Sequence, residues 1–377
     1  MAYLLAAWIF GWLGMAVVAR SIVNRLPFLP ESRSTESPDS VSVIIPARNE
    51  EESIERTVRS ILAQTHRGVD LIVVNDHSTD STGVILDRIS ANEQRLQVIH
   101  DPALQPGWLG KPNALDRGTR LATGKWLIFA DADIVFTPDA IDRAVSVADS
   151  EDLAGLSLIT KLITISWSEC AIVPLIPLGS IALTPDSANS NQPGGGFATG
   201  AFIMLQRKAY DGIGGHESVK AEIIDDIALG KRAKASGLRF RLFRGEDVAS
   251  VRMYTGARSL LFGLVKNVSF VIGGPRGNPI RAPVAALVTA VVMNVPLLAL
   301  VAGAVTGRSY VWLALGAYLM PVVMTLKMRH SVDVRIRYVF LYPAAGWIVF
   351  AATLIATYYR LARGTVRWRG REIKLGG

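Results

Sequence analysis

Two acidic residues, Asp131 and Asp133, follow an apolar run in the segment WLIFADAD. Residues two apart on an extended chain point to the same side, so the two carboxylates should converge. Converging carboxylates repel one another unless a cation lies between them, and Mg²⁺ or Mn²⁺ prefers such oxygen ligands together with phosphate oxygens. A lone pair of this kind also occurs on solvated surfaces, but a pair at the end of a buried strand predicts a divalent-metal site.

Lys111 and Asp76 have side chains suited to the other parts of a nucleotide. Lys111, in GWLGKPNAL, can neutralise the charge of a diphosphate. Asp76, in VNDHSTD, follows another apolar run, where a carboxylate can accept hydrogen bonds from a base or a ribose. In the same segment Ser78 and Asp80 are candidate helix caps.

The segment IPARNEEES, from Ile45 to Ser53, marks a transition from strand to helix. Pro46 is expected to end the strand. Asn49 and Glu50 are expected to begin a helix whose first backbone N–H groups are free to bind an anion. A helix start that is simply capped would give the same pattern, so this segment alone leaves both interpretations open.

Adjacent acids, Asp225 and Asp226 in AEIIDDIALGKRAKASG, offer a general base. The alternative is a helix start whose acids favour the helix dipole. Neighbouring helical residues point about 100° apart, so only one of the two should face a cleft. Asp226 is the expected base, because it shares a stripe with Ile223 and Leu229. Asp225 is expected to point along the edge of the helix.

Short apolar runs alternate with helical stretches over residues 41 to about 160, which predicts parallel βαβ units and a doubly wound α/β sheet. Ligands of such sheets bind at the carboxyl ends of the strands, where the segments above lie. The predicted strands are 41–45, 69–74, 96–99 and 126–130, and the predicted helices are near 50–64, 80–91, 111–122 and 138–149.

Composition argues against a purely soluble protein. The 377 residues are 50% hydrophobic and only 19% charged, below the roughly 25% of soluble domains. The single cysteine, Cys170, excludes an intrachain disulfide and any cysteine-based metal site. The net charge of +8 is concentrated in segments 327–337 and 360–374, beside apolar stretches, and does not indicate nucleic-acid binding.

Four apolar stretches are candidates for membrane-spanning helices: 3–19, 283–305, 309–326 and 338–359. The first could instead be a signal peptide, although no Lys or Arg precedes it. Both basic segments are typical of cytoplasmic loops. Three crossings after a cytoplasmic domain would place the tail outside, so the last stretch, with Pro343 and Gly346, is the candidate for a re-entrant segment.

Two further segments have open interpretations. Residues 162–184 are apolar but interrupted by Pro174 and Pro177, which favours an interfacial segment over a spanning helix, with a buried core element as the alternative. Residues Gly194–Gly196 and Phe197 could form a mobile loop over the site, or a plain flexible linker.

The order and spacing of these segments resemble the membrane-bound family 2 glycosyltransferases over roughly residues 41–275. The motifs are IPARNEE, VNDHSTD, GWLGKPNAL, DAD, TGAF, GGHES and IIDDIALGKR. Within the family, GGHESVKAEIIDDIAL followed by VRMYTGARSLLFGLVKN is most similar to hopene-associated, carotenoid-acid and ceramide-type lipid glycosyltransferases. The tail VRWRGR, Val366 to Arg371, also resembles the closing motif of many members.

The resemblance implies a GT-A catalytic domain, a Rossmann-like α/β fold, and roles for its residues. It implies that Asp76 contacts the uracil and that Asp131 and Asp133 bridge Mg²⁺ or Mn²⁺ to the donor diphosphate. It also implies that Asp226 is the base, with Asp225 in place of the usual Glu. The residues expected to bind the donor are Pro46, Ala47, Arg48, Glu50, Asp76, Lys111, Asp131 and Arg258.

One family motif is largely missing. Processive and ceramide-type enzymes carry Gln/Arg-x-x-Arg-Trp after the base helix, whereas the best match here, Thr255 to Ser259, keeps only Arg258. This loss disfavours polymer synthesis and favours transfer of a single sugar. Arg252 or Arg258 could still contact the diphosphate, with packing or phospholipid binding as the alternative.

The sequence therefore predicts a membrane-anchored, metal-dependent, inverting glycosyltransferase that moves one sugar from a nucleotide-sugar, a UDP-hexose, to a lipid hydroxyl. One alternative is a polyprenyl-phosphate sugar synthase, whose acceptor is itself an anion. Another is a non-catalytic sugar-nucleotide-binding subunit of a membrane complex. A transporter is disfavoured, because the C-terminal apolar stretches hold almost no charged residue.

The expected location is the bacterial inner membrane, with the catalytic domain in the cytoplasm. The expected organisation is a transmembrane anchor at 1–22, a linker at 23–40, a GT-A domain at 41–280, transmembrane helices at 281–360 and a basic tail at 361–377.

Overall fold

A computed structural model describes residues 1–31, 39–177, 188–190, 195–273, 277–368 and 371–374. The chain divides into two compact units. The first, here called the sheet unit, comprises Ile22–Lys161 and Ala182–Val251. The second, the helical unit, comprises Met1–Ser21, Leu162–Ile181 and Arg252–Gly377.

Strands and helices alternate along the first half of the chain, and helices dominate the second half. The strands are β1 (Val41–Ala47), β2 (Val69–Asn75), β3 (Leu96–His100), β4 (Trp126–Ala130), β5 (Ile134–Phe136), β6 (Gly155–Ile159), β7 (Lys161–Ile163), β8 (Phe202–Gln206), β9 (Phe240–Arg244), β10 (Ala249–Val251), β11 (Val332–Asp333), β12 (Thr365–Trp368) and β13 (Arg371–Lys374). The α-helices are α1 (Ala2–Asn24), α2 (Ile54–Leu62), α3 (Thr82–Ser90), α4 (Gly110–Thr119), α5 (Ala140–Ser150), α6 (Trp167–Ile172), α7 (Arg207–Gly212), α8 (Asp225–Ala235), α9 (Ala257–Gly273), α10 (Arg281–Thr306), α11 (Val311–Lys327), α12 (Ile336–Val339) and α13 (Tyr342–Tyr358).

The sheet unit is built on a seven-stranded sheet in the order β3-β2-β1-β4-β8-β6-β9. The first four strands are parallel, with Val43 opposite Leu71 on one side and Ile128 on the other. Strand β8 is antiparallel to both β4 and β6, and β6 and β9 are parallel. The predicted α/β class with a mostly parallel sheet is confirmed.

Both faces of this sheet are buried, which explains why its strands are nearly continuous apolar runs. Alternate residues of β1 point to opposite faces, so Val43 and Ile45 join one apolar cluster while Ile44 joins another. All four predicted strands are present, three of them extended by one or two residues and the fourth, 126–130, with the predicted bounds. All four predicted helices are present but shorter.

Pro46 was expected to end β1, and this prediction is wrong, because the strand continues through Ala47. The β1–β4 ladder stops at the pair Ile44–Phe129, so Pro46 lies beyond it. A proline is tolerated in a strand where its missing N–H is not needed by a neighbour. On the other side β1 still pairs with β2, where Pro46 lies opposite Val74.

Two helices of the helical unit are long and apolar enough to cross a membrane, Arg281–Thr306 and the continuous stretch Tyr342–Arg363. Two shorter apolar helices cover Ala2–Val18 and Val311–Lys327. These assignments follow from length and composition. The stretch expected at 338–359 begins four residues later, because the separate short helix α12 ends at Val339.

The residues that suggested a re-entrant segment have other roles here. Pro343 lies in the first turn of α13, a position that suits proline. Gly346 allows α13 to approach α10 closely, since a Cβ at this position would lie 2.7 Å from the Cα of Ala290. The helix is therefore continuous from Tyr342 to Tyr358.

The segment expected to be interfacial, 162–184, is described as far as residue 177. It contributes to β7 and forms the short helix α6, and no long helix lies in this described part. Three other expectations extend beyond the described residues: part of the linker 23–40, Gly194 of the glycine-rich loop, and part of the VRWRGR tail.

Candidate active site

A cluster of opposite charges lies at the carboxyl end of β4. The ammonium of Lys111, in the first turn of α4, is 2.7 Å from Oδ1 of Asp131, which directly follows β4. Lys111 also lines a cavity of about 10 Å³ in the sheet unit. The residues around this cavity are Lys111, Leu115, Phe129, Ala130, Gly200, Ile203, His216, Asp225 and Asp226. Five segments that are separate in sequence therefore meet at one strand end.

Lys111 provides the positive charge of this cluster. Burial by itself would lower the pKa of Lys111, but the negative charges of Asp131, Asp225 and Asp226 outweigh burial and hold the pKa above its usual range. The ammonium therefore stays charged at every physiological pH. A permanent cation here is suited to a diphosphate, as the sequence predicted.

Asp133 is crowded by a like charge. Burial and the neighbouring charge of Asp131 together raise the pKa of Asp133 to about 7. Two carboxylates held close together repel one another. A divalent cation coordinated by oxygens of both would offset this repulsion. The pair thus fits Mg²⁺ or Mn²⁺ chemically. Among the residues that the structure describes, no group of three or more His, Cys, Asp or Glu side chains forms a metal site, so further ligands would come from phosphate and water.

Asp225 and Asp226 both line the cavity, so the expectation that only one of them faces it is wrong. The two are the first residues of α8, and the preceding Ile224 has non-helical backbone angles. Burial raises the pKa of both carboxyls, that of Asp225 to about 6. Asp226 is the more firmly held, because its Oδ2 accepts from the backbone N–H of Gly200 at 2.6 Å and its Oδ1 from that of Ile227 at 2.9 Å.

Glycines allow the backbone to enter this cluster. A Cβ on Gly200 would lie 3.0 Å from Nζ of Lys111, 3.1 Å from Oδ2 of Asp226 and 3.4 Å from Oδ2 of Asp131. The preceding chain packs on α8 in the same way, since a Cβ on Gly196 would collide with the backbone of Gly230. The described part of the glycine-rich loop is therefore packed against the helix that carries Asp226.

The loops after β1 and β2 are tied together by side chains. The backbone N–H groups of Asn49, Glu50 and Glu51 donate to Ser78, Thr82 and Asp80 respectively. The expectation that these groups are free for an anion is therefore wrong. The predicted caps are not at the N-cap of α3, which is Ser81. Asp80 accepts from the N–H of Thr82 through its Oδ1, and Ser78 accepts from the N–H of Asn49 in the opposite loop.

The structure places the predicted donor-binding residues of this region in and beside these two loops. Pro46 and Ala47 end β1, and the N–H of Asp76 donates to the carbonyl of Ala47. The guanidinium of Arg48 donates to the carbonyl oxygen of Asp76 at 2.6 Å. The carboxylate of Asp76 is almost fully buried and contacts the ring of His77 at 3.0 Å.

The amino-acid sequence is similar to known glycosyltransferases. Residues 42–214 match Glycosyl transferase family 2. The chain carries a family 2 glycosyltransferase domain. The 4,4'-diaponeurosporenoate glycosyltransferases of Staphylococcus aureus strains MRSA252 and USA300 are each 30% identical over 244 residues. That match covers 63% of this chain and 63% of theirs, so the chain matches less than two thirds of their length.

A solved structure shows the same fold for the family 2 domain. The mannosyltransferase PcManGT from Pyrobaculum calidifontis, in complex with GDP-Man and Mn²⁺, aligns with a TM-score of 0.56 at 17% identity. The alignment covers 94% of this chain and 98% of that one. The predicted family and the GT-A-like fold are therefore confirmed.

His216 is a residue of the cavity that sequence reasoning did not single out. Its ring Nδ1 is 2.9 Å from the hydroxyl of Tyr210, and that hydroxyl also accepts the backbone N–H of His216. The edge of the ring packs on Phe129. The only sequence signal was its place in the GGHES motif.

The imidazole of His216 is expected to stay neutral between pH 5 and 8. Burial and the charge of Lys111 lower its pKa to about 3, whereas an unfolded histidine titrates near 6.5. Between these two pKa values the imidazole is protonated in the unfolded chain and neutral in the folded chain. His216 therefore lowers the free energy of unfolding as the pH falls below about 6.5. NMR of the ¹⁵N-histidine-labelled protein checks this, with His216→Gln to assign the signal. A midpoint near 6.5 would contradict the assignment.

Arg258 and Arg252 belong to the helical unit. The guanidinium of Arg258, on α9, lies 5.9 Å from the ring centroid of Phe262. Arg252 binds the fully buried carboxylate of Glu169 at 3.1 Å. These contacts give both arginines a packing partner, and binding of the diphosphate by Arg258 stays a prediction.

Proposed function

We propose that this protein is a membrane-anchored, metal-dependent, inverting glycosyltransferase that moves one sugar from a UDP-hexose to the hydroxyl of a lipid. The observation that carries the proposal is the meeting of Asp226, Lys111 and Asp131 around the backbone of Gly200. A general base (Asp226), a permanent cation (Lys111) and a carboxylate suited to a metal ion (Asp131) then lie together at the carboxyl end of β4. Transfer to an alcohol from a diphosphate needs these three groups together.

Asp226 takes the proton in this proposal. The lipid oxygen attacks the anomeric carbon while the bond from that carbon to the diphosphate breaks, and the hydroxyl proton passes to the Asp226 carboxylate. The hydrogen bonds from Gly200 and Ile227 fix the direction of the carboxylate. Because burial raises its pKa, the carboxylate is a stronger base than one in water.

Lys111 and the acidic pair bind the departing diphosphate. Asp131 and Asp133 would hold a divalent ion, which supplies charge stabilisation for the leaving group. Lys111 contacts Asp131 in this structure and is close enough to share its charge with phosphate oxygens bound there. Asp76 would bind the base, and Pro46, Ala47, Arg48 and Glu50 would form the neighbouring wall of the donor site.

The lipid nature of the acceptor is supported by two observations. The described part of the chain includes two helices long and apolar enough to span a membrane, and the similar S. aureus enzymes are named for 4,4'-diaponeurosporenoate. We place the protein in the bacterial inner membrane with the sheet unit in the cytoplasm, where nucleotide-sugars are made. Transfer of a single sugar follows from the loss of the Gln/Arg-x-x-Arg-Trp motif.

A second candidate function is sugar transfer by the same fold to an acceptor that is an anion and not an alcohol. The ending of the name diaponeurosporenoate denotes a carboxylate, and a carboxylate or a polyprenyl phosphate is already an anion before attack. Such an acceptor needs no general base. Asp226 would then orient the sugar and would be far less important for the rate.

Chelation of divalent metal is expected to stop sugar transfer, and added Mn²⁺ or Mg²⁺ to restore it. Asp133→Ala removes one of the two carboxylates, and we expect it to weaken binding of Mn²⁺ by more than the roughly 10–100-fold that is lost when only a partner of a metal ligand is removed. Calorimetric titration of Mn²⁺ measures this directly. Asp139→Ala, which removes a carboxylate that is exposed and lies just before α5, is the matched control. Full transfer in EDTA would contradict a metal requirement.

The proposed reaction as a whole is tested by lipid analysis. Mass spectrometry of lipid extracts, from a host with and without the gene, should show a lipid heavier by one hexose only when the gene is present. The same comparison with Asp226→Asn links the product to this site. An unchanged lipid profile together with no hydrolysis of UDP-hexose by the purified protein would favour a non-catalytic binding subunit.

A further inference from the structure

A second cavity, of about 280 Å³, lies within the helical unit. Helices α6, α9 and α13 form its walls. It is separate in sequence from the residues of the candidate active site. Its lining residues are Trp167, Ser168, Ala257, Leu260, Leu261, Trp347, Ile348 and Ala351.

The wall of this cavity is almost entirely hydrocarbon and indole. Its one side-chain hydroxyl belongs to Ser168, which is fully buried and already lies 3.1 Å from the hydroxyl of Ser166. The other polar groups that its lining side chains carry are the indole N–H groups of Trp167 and Trp347. A predominantly apolar lining of this kind favours an apolar ligand.

The wall is also held rigidly. Ser166 caps α6 by accepting from the N–H of Glu169, and its own hydroxyl donates to the Glu169 carboxylate at 2.7 Å. Burial opposes the charge of Glu169, but hydrogen bonds from Arg252, Ser166 and the N–H of Ile165 outweigh it and lower the pKa of Glu169. The charged pair with Arg252 thus fixes the helix that carries Trp167, so the cavity is preformed.

Two tryptophans indicate that the cavity lies at the interface between membrane hydrocarbon and headgroups. Trp167 and Trp347 line it and are 44% and 45% exposed. Trp347 belongs to α13, which is part of a stretch of membrane-spanning length. Half-exposed tryptophans are concentrated where membrane hydrocarbon meets the headgroups.

We propose that this cavity binds a single hydrocarbon chain of the acceptor lipid. The inference rests on the proposed function, because it assumes that the acceptor is a lipid. Ligand pockets usually measure about 300–1,000 Å³, so this volume suits part of one chain. It does not suit the paired chains of a bilayer phospholipid.

The experiment uses the full-length protein reconstituted in vesicles of phosphatidylcholine, to which phosphatidylglycerol can be added as a competitor. The probe is palmitic acid carrying a diazirine, which forms a covalent bond to its surroundings on illumination. Mass spectrometry of the digested protein should find the label on peptides that contain Trp167 or Trp347. Unlabelled palmitic acid should displace the probe.

Variants that fill the cavity provide the test. Ala351→Phe acts from α13, and Ala257→Phe acts from the exposed first turn of α9, where it should not disturb folding. Each should reduce labelling by about tenfold or more, which corresponds to the loss of one or two buried methylene contacts. Ala285→Phe, at an exposed position of α10 that does not line the cavity, is the matched control and should label normally.

Two further readouts separate this inference from the proposed function. Hydrolysis of UDP-hexose, which needs no acceptor, should be unchanged in the filled variants, whereas transfer into a lipid extract should require more extract. Unchanged labelling in both filled variants, or equal displacement of the probe by phosphatidylglycerol, would overturn the inference. Labelling that behaves as expected in a protein that transfers no sugar would overturn the proposed function and leave a lipid-binding cavity.

Discussion

Asp226→Asn is expected to lower the rate of sugar transfer to a lipid alcohol by roughly 10²–10⁴-fold. The change removes the charge that accepts the hydroxyl proton while keeping the shape of the side chain. One amide oxygen can still accept a backbone N–H, from either Gly200 or Ile227, so the local fold should survive. Initial rates with radiolabelled UDP-hexose measure the loss, and calorimetry with UDP should show that the nucleotide still binds.

Asp225→Asn is the matched control for this experiment. Asp225 lines the same cavity, is buried and has a raised pKa, so the two variants differ mainly in which carboxylate is held towards Gly200. A smaller loss is expected for Asp225→Asn. An equal or larger loss would reverse the two roles. Near-normal transfer by Asp226→Asn would instead favour an acceptor that is already an anion.

Gly200→Ala is expected to reduce transfer by about tenfold. The added methyl group would lie 3.0 Å from Nζ of Lys111 and 3.1 Å from Oδ2 of Asp226, and in ordinary contact, at 3.4 Å, with Oδ2 of Asp131. The lysine and the base then have to shift by a few tenths of an ångström, which is less than the displacement of about 1 Å that can cost about 10²-fold in rate. Transfer assays measure the effect, and circular dichroism with thermal melting should show an intact fold.

Gly212→Ala is the control for this substitution. Gly212 ends α7 in the same unit, and a Cβ there would meet no atom within 4 Å. Alanine is preferred to glycine in a helix by roughly 0.5–1 kcal/mol, so activity should be normal and stability equal or higher. Wild-type transfer by Gly200→Ala would show that the three charged groups need not meet at this backbone position.

The fold was predictable to a large extent because its strands are buried on both faces. Runs such as VSVII and WLIFA are apolar without interruption, and they are separated by helices that carry polar residues. This pattern identified the parallel part of the sheet. The antiparallel strand β8 was not predicted, because FIMLQ has the same composition as its parallel neighbours and orientation is set by contacts distant in sequence.

Asp76, Asp131 and Asp133 were predictable as site residues because each follows an apolar strand. The hydrogen bonds and orientations of the site were not predictable, because they depend on contacts between residues distant in sequence. The N–H groups of residues 49–51 looked free because their partners, residues 78–82, come thirty positions later. His216 was missed because a histidine in a short motif is as often structural as functional. Asp225 was expected to face away because a regular helix was assumed, whereas α8 begins at Asp225 itself.

The side-chain ties between the loops after β1 and β2 run in both directions. The side chains of Ser78, Asp80 and Thr82 accept hydrogen bonds from backbone N–H groups of the first loop. In return, the side chains of Asn49 and Glu51 accept from the backbone N–H groups of Thr79 and Ser81. Two loops bound reciprocally in this way form one cooperative unit, since no single residue can leave without releasing partners on the other side. The two loops therefore behave as a single rigid plate, and a substitution in one loop should also change the position of the other.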